Sequence, residues 1–196
     1  MQPPNLVLAS ASPRRVELLA AIGVAPEVRP AHLDETRRLD EAGTALVARL
    51  SEAKARAVAR PGELVIGADT VVLVGDDVLG KPAPGSEVSV MLRRLGGRRH
   101  EVVTGISVVR DGRASSAVCR TTVQFRTIDA EDVAWYVATG EGADKAGGYG
   151  IQGAASVFVE RIEGSYPNVV GLPVATVDEL CRQHGWPLRT WAVPRR

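Results

Sequence analysis

In the segment VIGADTVVLV, Asp69 and Thr70 interrupt an apolar run of strand length. A carboxylate placed there without a partner is expensive. Asp69 is therefore expected to face a metal ion, a cation or a wet cleft; the bland alternative is a strand-end aspartate capping a turn. Lys54 breaks a pattern in the same way. Projected at about 100° per residue, Leu46, Val47, Leu50, Ala57 and Val58 form one apolar arc, with Arg49, Glu52, Arg56 and Arg60 opposite. Lys54 falls inside the arc. It either snorkels at the arc's edge or points at an anion. Arg14 and Arg15, in LASASPRR, are misplaced in a third way. Ser12 reads as a helix N-cap and Pro13 as the first helical residue; Val16, Leu19, Ala20 and Ile22 continue the stripe and Gly23 stops it. Two cations then sit at the positive end of a helix dipole, among free N–H groups. An anion bound there, phosphate above all, would reconcile the arrangement.

Other segments refine that chemistry. Glu35, in HLDETRR, is worth little alone; beside Asp69 it would complete a site of oxygen ligands for a hard metal ion. GDDVLGKP has the spacing of a phosphate-binding loop, but Pro82 stands where Ser or Thr must bind magnesium and the preceding residues look like a hairpin. Lys81 remains as a point charge for phosphate. GYGIQG, Gly148 to Gly153, matches a dinucleotide fingerprint in letters only, because a loop precedes it and a strand-like segment follows. The long glycine-rich loop with Asp144, Lys145, Tyr149 and Gln152 lets backbone approach a ligand closely, or is a flexible surface loop. Gln152 can pair with a base edge through its donor and acceptor ends. His32, His100 and His184 share no ligand spacing and read as structural or surface residues; no Ser–His–Asp set is recognisable, which leans away from covalent catalysis.

The elements that must position these groups alternate. Strands are expected near Asn5–Ala9 and Glu27–Arg29, a helix over Thr44–Ala59, a strand through ELVIGADTVVLVG, and a turn at Gly75–Asp77. A helix follows over Ser86–Leu95, then strands HEVVTGISVVR and ASSAVCRTTVQFRT about the turn Asp111–Gly112. A helix begins at Asp129, with Asp132 completing a capping-box-like pair. The strand ASVFVERI and a helix over Pro173–His184 complete the series. The pattern is α/β with a largely antiparallel middle.

Bulk properties narrow the class. The 196 residues suit one sizeable domain or two small lobes, and 45% apolar content is enough for a core. A formal net charge of +1 and 4% aromatics argue against a nucleic-acid-binding surface. Cys119 and Cys181 fit no metal spacing and suggest reduced thiols in a cytoplasmic protein. Neither a signal peptide nor a membrane span is expected.

In order and spacing, LASASPRR, LDET, GADTVV, GKP, HEVVTG, DKAGGYGIQG and NVVGLP resemble the Maf family of nucleoside triphosphate pyrophosphatases, also called septum formation proteins. The resemblance runs over nearly the whole chain, as a single domain of residues 1–196. It implies an elongated mixed sheet flanked by helices, like that of inosine triphosphate pyrophosphatases, with a cleft between two lobes. It further implies a homodimer, a divalent cation (Mg²⁺ or Mn²⁺), and hydrolysis of dTTP and UTP to the monophosphate and pyrophosphate. Carried over by position, the proton acceptor falls on Asp69, phosphate binding on Ser10, Arg14, Arg15, Lys54 and Lys81, and the acidic helper on Glu35, which with Asp69 would hold the metal. Base preference falls on Arg14, Thr70 and Gln152. The residue before the family's lysine is often glutamate; here it is Ala53, with Glu52 one place earlier. The competing class is a non-catalytic nucleotide-binding regulator of septum formation, which would not need a carboxylate set into an apolar strand.

Overall fold

The structure is a computed structural model and describes residues 2–83 and 87–193. Seven strands form one mixed sheet. In chain order the elements are β1 (Leu6–Leu8), α1 (Pro13–Ala20), β2 (Glu27–Val28), α2 (Gly43–Val58), β3 (Leu64–Val74), β4 (Asp77–Leu79), α3 (Glu87–Leu95), β5 (Arg99–Arg110), β6 (Arg113–Phe125), α4 (Ala130–Ala138), β7 (Val159–Glu163), α5 (Tyr166–Val170) and α6 (Val174–Gln183). The sheet order is β2-β1-β3-β5-β6-β7, with β4 also paired to β3. β1 runs parallel to both β2 and β3, whereas β4 is antiparallel to β3 and β7 to β6. This is the mixed α/β class expected.

The described residues cluster into two compact units. The first runs through Asp69, takes in Thr104–Cys119 and resumes at Gly171; the second comprises Thr70–Val103 and Arg120–Val170. Strands β3, β5 and β6 each continue from one unit into the other.

Within the first unit, strand alternation sorts the core onto two faces. Leu6, Leu8, Leu64, Ile66, Ala68, Ile106 and Val108 pack with Leu19 of α1 and with Val177 and Leu180 of α6. Val7, Ala9, Val65 and Val109 pack on the other face with Ala55 of α2. The buried residues of α2 are Leu46, Val47, Leu50, Ser51, Lys54 and Ala55, after the initial Gly43. The apolar arc read from the sequence is therefore rotated slightly: Ala57 is exposed and Ala55 takes its place against the sheet. The C-terminal segment also packs. Leu188 is buried, the Trp191 indole N–H donates to the Pro4 carbonyl at 2.9 Å, and the Val193 N–H donates to the Gly23 carbonyl at 2.9 Å.

Two local expectations need correction. ASVFVERI is not a continuous strand: Ala154–Phe158 is a 3₁₀ turn and only Val159–Glu163 is extended. Phe158 is fully buried and Phe125, Trp135 and Tyr136 surround it, so aromatic packing overrides the β-propensity of the segment. The glycine loop is likewise ordered into 3₁₀ turns over Glu141–Asp144 and Ala146–Gly148. The expected start of α3 at Ser86 lies outside the described residues. The capping box of α4 forms as read, with the Asp132 N–H donating to Asp129 Oδ1 at 2.8 Å and the Asp129 N–H to Asp132 Oδ2 at 3.3 Å.

In the core of the second unit, His100 is 3% exposed. Its Nε2 lies 2.8 Å from the Tyr149 hydroxyl, and its ring meets Phe125 and Tyr149 edge-on. Burial pushes the imidazole pKa down to about 4 from 6.5. The unfolded chain thus binds the extra proton between those two values, and stability falls as pH drops through that window. A shift of this size corresponds to about 3 kcal/mol. Urea unfolding at pH 7 and pH 4.5 should show this acid loss in the wild type, and His100→Phe should flatten it.

Candidate active site

Along β3, Val65, Gly67 and Asp69 alternate on the side that faces α2. Glycine is required at the middle position: a Cβ on Gly67 would lie 2.1 Å from the Ser51 carbonyl oxygen and 2.8 Å from the Ala55 nitrogen. Gly105 of β5 has the same relation to α2, with the Val47 carbonyl oxygen 2.2 Å from where its Cβ would stand. These side-chain-free positions let the helix lie close against the sheet, so that Lys54, one turn beyond Leu50 and Ser51, reaches the end of the row. Lys54 Nζ donates to Asp69 Oδ1 at 2.6 Å and lies 2.8 Å from Glu35 Oε1. Lys54 and Asp69 are each 8% exposed. Lys54 is therefore no snorkelling side chain, and Asp69 is no strand-end cap.

Glu35 arrives from the loop between β2 and α2. Arg49 of α2 pins that loop: its guanidinium donates to both carboxylate oxygens of Glu41 at 2.6 and 2.7 Å and to the Thr36 carbonyl at 3.2 Å. The Glu41 carboxyl is held down to about 2, chiefly by Arg49. The Thr36 N–H closes an Asx turn on Asp34 Oδ1 at 2.9 Å. Arg49 thus supports the loop from the helix's outer side, a role that its position opposite the apolar arc did not announce.

Burial raises the Asp69 pKa above the usual aspartate value; the positive charges of Lys54 and then Arg15 pull it back, and burial prevails. A buried carboxylate with raised basicity, held by an ammonium, is equipped to take a proton from water.

Arg15 occupies the other side of this strand end. Buried at the first turn of α1, it donates from Nε to the Gly171 carbonyl at 2.8 Å. Its Nη1 donates to Ser10 Oγ at 2.9 Å and to the Ala68 carbonyl at 2.8 Å. Ser10 Oγ also accepts the Ser12 N–H at 3.2 Å. Ser12 is the N-cap residue of α1, with Pro13 following, but its side chain makes no capping bond. Arg15 is thus built into the fold, tying the end of β1 to the residue before Asp69. Its pKa is lowered, first by burial, yet a guanidinium remains charged. Arg14, beside it, is half-buried.

The structure therefore brings Ser10, Arg15, Glu35, Lys54 and Asp69 together in the first unit. Arg14 adjoins them in sequence on α1. Thr70 follows Asp69 on β3 and is half-buried; Lys81 and Gln152 are exposed in the second unit. The two decoys are disposed of. Gly75 lies in the turn of the β3–β4 hairpin, whose register pairs Val74 with Asp77, and no helix follows GYGIQG. Tyr149 is a core residue, not a ligand contact. Glu52 pairs with Arg56 at 2.7 Å on the outer face of α2, so it does not stand in for the glutamate that Ala53 replaces. Cys119 and Cys181 are free thiols. No helix among the described residues is long and apolar enough to cross a membrane.

A carboxylate of raised basicity among buried cations is the equipment of a phosphate-transferring hydrolase, and the comparisons agree with it. The chain matches the family model described as "Maf-like protein" over residues 5–184. It belongs to that family. A protein of Anaeromyxobacter dehalogenans named dTTP/UTP pyrophosphatase is 49% identical over 195 residues, covering 97% of this chain and 99% of that one. Proteins with the same name from Symbiobacterium thermophilum and Caulobacter vibrioides are 46% and 47% identical, covering 95% and 87% of this chain and 97% and 91% of their own lengths. Among solved structures, the Staphylococcus aureus Ham1 protein aligns with 61% of this chain and 71% of its own at a TM-score of 0.43 and 19% identity.

Proposed function

We propose that this protein is a nucleoside triphosphate pyrophosphatase that hydrolyses dTTP and UTP to the monophosphate and pyrophosphate. The observation that carries the reading is Lys54, buried in an apolar helix face, bridging the carboxylates of Asp69 and Glu35. The shared name of the relatives, matched across nearly their full lengths, supports the substrate class.

In this mechanism Asp69 accepts a proton from a water molecule. The water oxygen bonds to the α-phosphorus, the bond from that phosphorus to the bridging oxygen of the β-phosphate breaks, and pyrophosphate leaves with the electron pair. A nucleoside triphosphate brings about four negative charges, more than one cation neutralises in a confined site. Arg14, Lys54 and Lys81 share that load, with the Ser10 hydroxyl as a further contact. Arg15 holds Ser10 and the Ala68–Asp69 peptide in register and adds its charge from within. Positioning and electrostatic stabilisation supply most of the rate. Arg14, Thr70 and Gln152 select the base, Gln152 through its amide.

The oxygen donors of Asp69 and Glu35, within reach of a single ammonium, fit a hard divalent ion such as Mg²⁺ or Mn²⁺. Among the described residues no group of three or more His, Cys, Asp or Glu side chains is arranged to hold a metal, so phosphate oxygens and water would complete its shell. When bound, the ion would withdraw charge from the phosphates. The two units act as one Maf-type domain in a cytoplasmic homodimer, a setting that suits the free thiols.

The test is a panel of nucleoside triphosphates with Mg²⁺, with pyrophosphate and orthophosphate assayed separately. Pyrophosphate released from dTTP and UTP in preference to the purine nucleotides is expected. Binding without turnover would favour a regulator instead.

A further inference from the structure

The glycine loop that carries Gln152 is built around one carboxylate. Glu141 follows α4 and opens the first 3₁₀ turn of the loop. Its side chain turns back beneath residues 150–154, where the Ala154 N–H donates to Oε2 at 2.7 Å. Gly153 and Gly150 have no room for a side chain because of it. A Cβ on Gly153 would lie 2.3 Å from both carboxylate oxygens, and one on Gly150 would lie 2.8 Å from Oε1 and 2.6 Å from the Lys145 Cε. Glu141 Oε1 is buried without a hydrogen-bond partner among the described residues. Three further contacts brace the support. Lys145 Nζ donates to the Glu141 carbonyl and, at 2.8 Å, to Asp144 Oδ1. The Gly150 N–H donates to the Tyr136 hydroxyl at 3.2 Å. The phenol's pKa is pushed above its ordinary range, first by burial and further by the Glu141 charge.

Gln152 itself is exposed, and the residues on either side of it in sequence, Gly150 and Gly153–Ala154, are the ones that close on Glu141. An exposed amide on a glycine-rich segment is a poor reader of a base unless its backbone is fixed. A carboxylate accepting a backbone N–H is a strong anchor. We infer that Glu141 is a positioning residue for base selection: by holding the backbone at Gly150, Gly153 and Ala154 it fixes Gln152 in the orientation that distinguishes dTTP and UTP from other nucleoside triphosphates. The inference rests on Gln152 acting on the base.

The experiment compares Glu141→Ala, Glu141→Gln and Gln152→Ala with the wild type, using UTP, dTTP, CTP and GTP with Mg²⁺, and confirms by urea unfolding that each variant is folded. Glu141→Ala should raise KM for UTP and dTTP by about tenfold while changing kcat by less than about threefold, the pattern of lost binding without lost chemistry. Its preference for UTP over CTP and GTP should shrink to that of Gln152→Ala. Glu141→Gln keeps an oxygen for the Ala154 N–H and should recover most of the preference. A Glu141→Ala enzyme with wild-type preference, or one that loses kcat equally on all four nucleotides, overturns the inference while Gln152→Ala still shifts the preference. An unchanged preference in Gln152→Ala removes Gln152 from base reading, and the inference about Glu141 with it.

Discussion

Asp69→Asn abolishes pyrophosphate release from dTTP and UTP. The side chain keeps its size and an oxygen for the Lys54 ammonium, which also retains Glu35 at 2.8 Å, so the fold survives. What disappears is the proton acceptor and one oxygen donor of the pair. General-base catalysis alone is worth about 10² to 10⁴ in rate, and the lost charge adds to it, so kcat should fall by at least about 10³-fold. Circular dichroism and the melting profile should match the wild type. Steady-state turnover with separate pyrophosphate detection measures the loss, and unchanged turnover would take Asp69 out of the chemistry.

Lys54→Met has the second-largest effect and a distinctive pH dependence. Methionine fills the apolar face of α2 but removes the ammonium that holds Asp69 and Glu35 together. Two carboxylates then confront each other, which drives the pKa of the buried one further up. Breaking a buried pair from one side costs about 3–5 kcal/mol when the remaining charge stays ionised. The deficit should therefore be largest at pH 8 and shrink towards pH 5 as Asp69 takes up a proton. Comparing variant with wild type at each pH cancels the contribution of His100, which acts in the opposite direction. Activity should fall by about 10²-fold or more at every pH, because neither the triphosphate nor the reacting carboxylate is compensated.

Much of this site was readable from the chain because its members violate their surroundings. Asp69 in an apolar strand and Lys54 in an apolar helix face are each costly alone; a pair resolves both, and the structure pairs them. Their partnership was not readable, since it depends on how closely α2 approaches the sheet. That approach is set by Gly67 and Gly105, which show no local signal in the sequence. Arg15 was readable as a displaced cation, whereas its inward turn onto Ser10, Ala68 and Gly171 depends on backbone carbonyls that converge only after folding. Elements with clear punctuation came through: the Asp111–Gly112 hairpin, with φ of 47° and 81°, and the capping box of α4. The 3₁₀ turn Ala154–Phe158 and the short helix α5 did not, because burial of Phe158 and the packing of Asn168 outweigh local propensity there. Asn168 is fully buried and donates to the Val102 carbonyl and to Thr121 Oγ1, both at 3.0 Å.

Where the water oxygen goes is the most direct test of the mechanism. UTP hydrolysed in ¹⁸O-labelled water, with products resolved by mass spectrometry, should carry the label in UMP and leave pyrophosphate unlabelled. Label in pyrophosphate would mean that attack falls on the β-phosphorus, contradicting a site in which Asp69 readies water for the α-phosphorus.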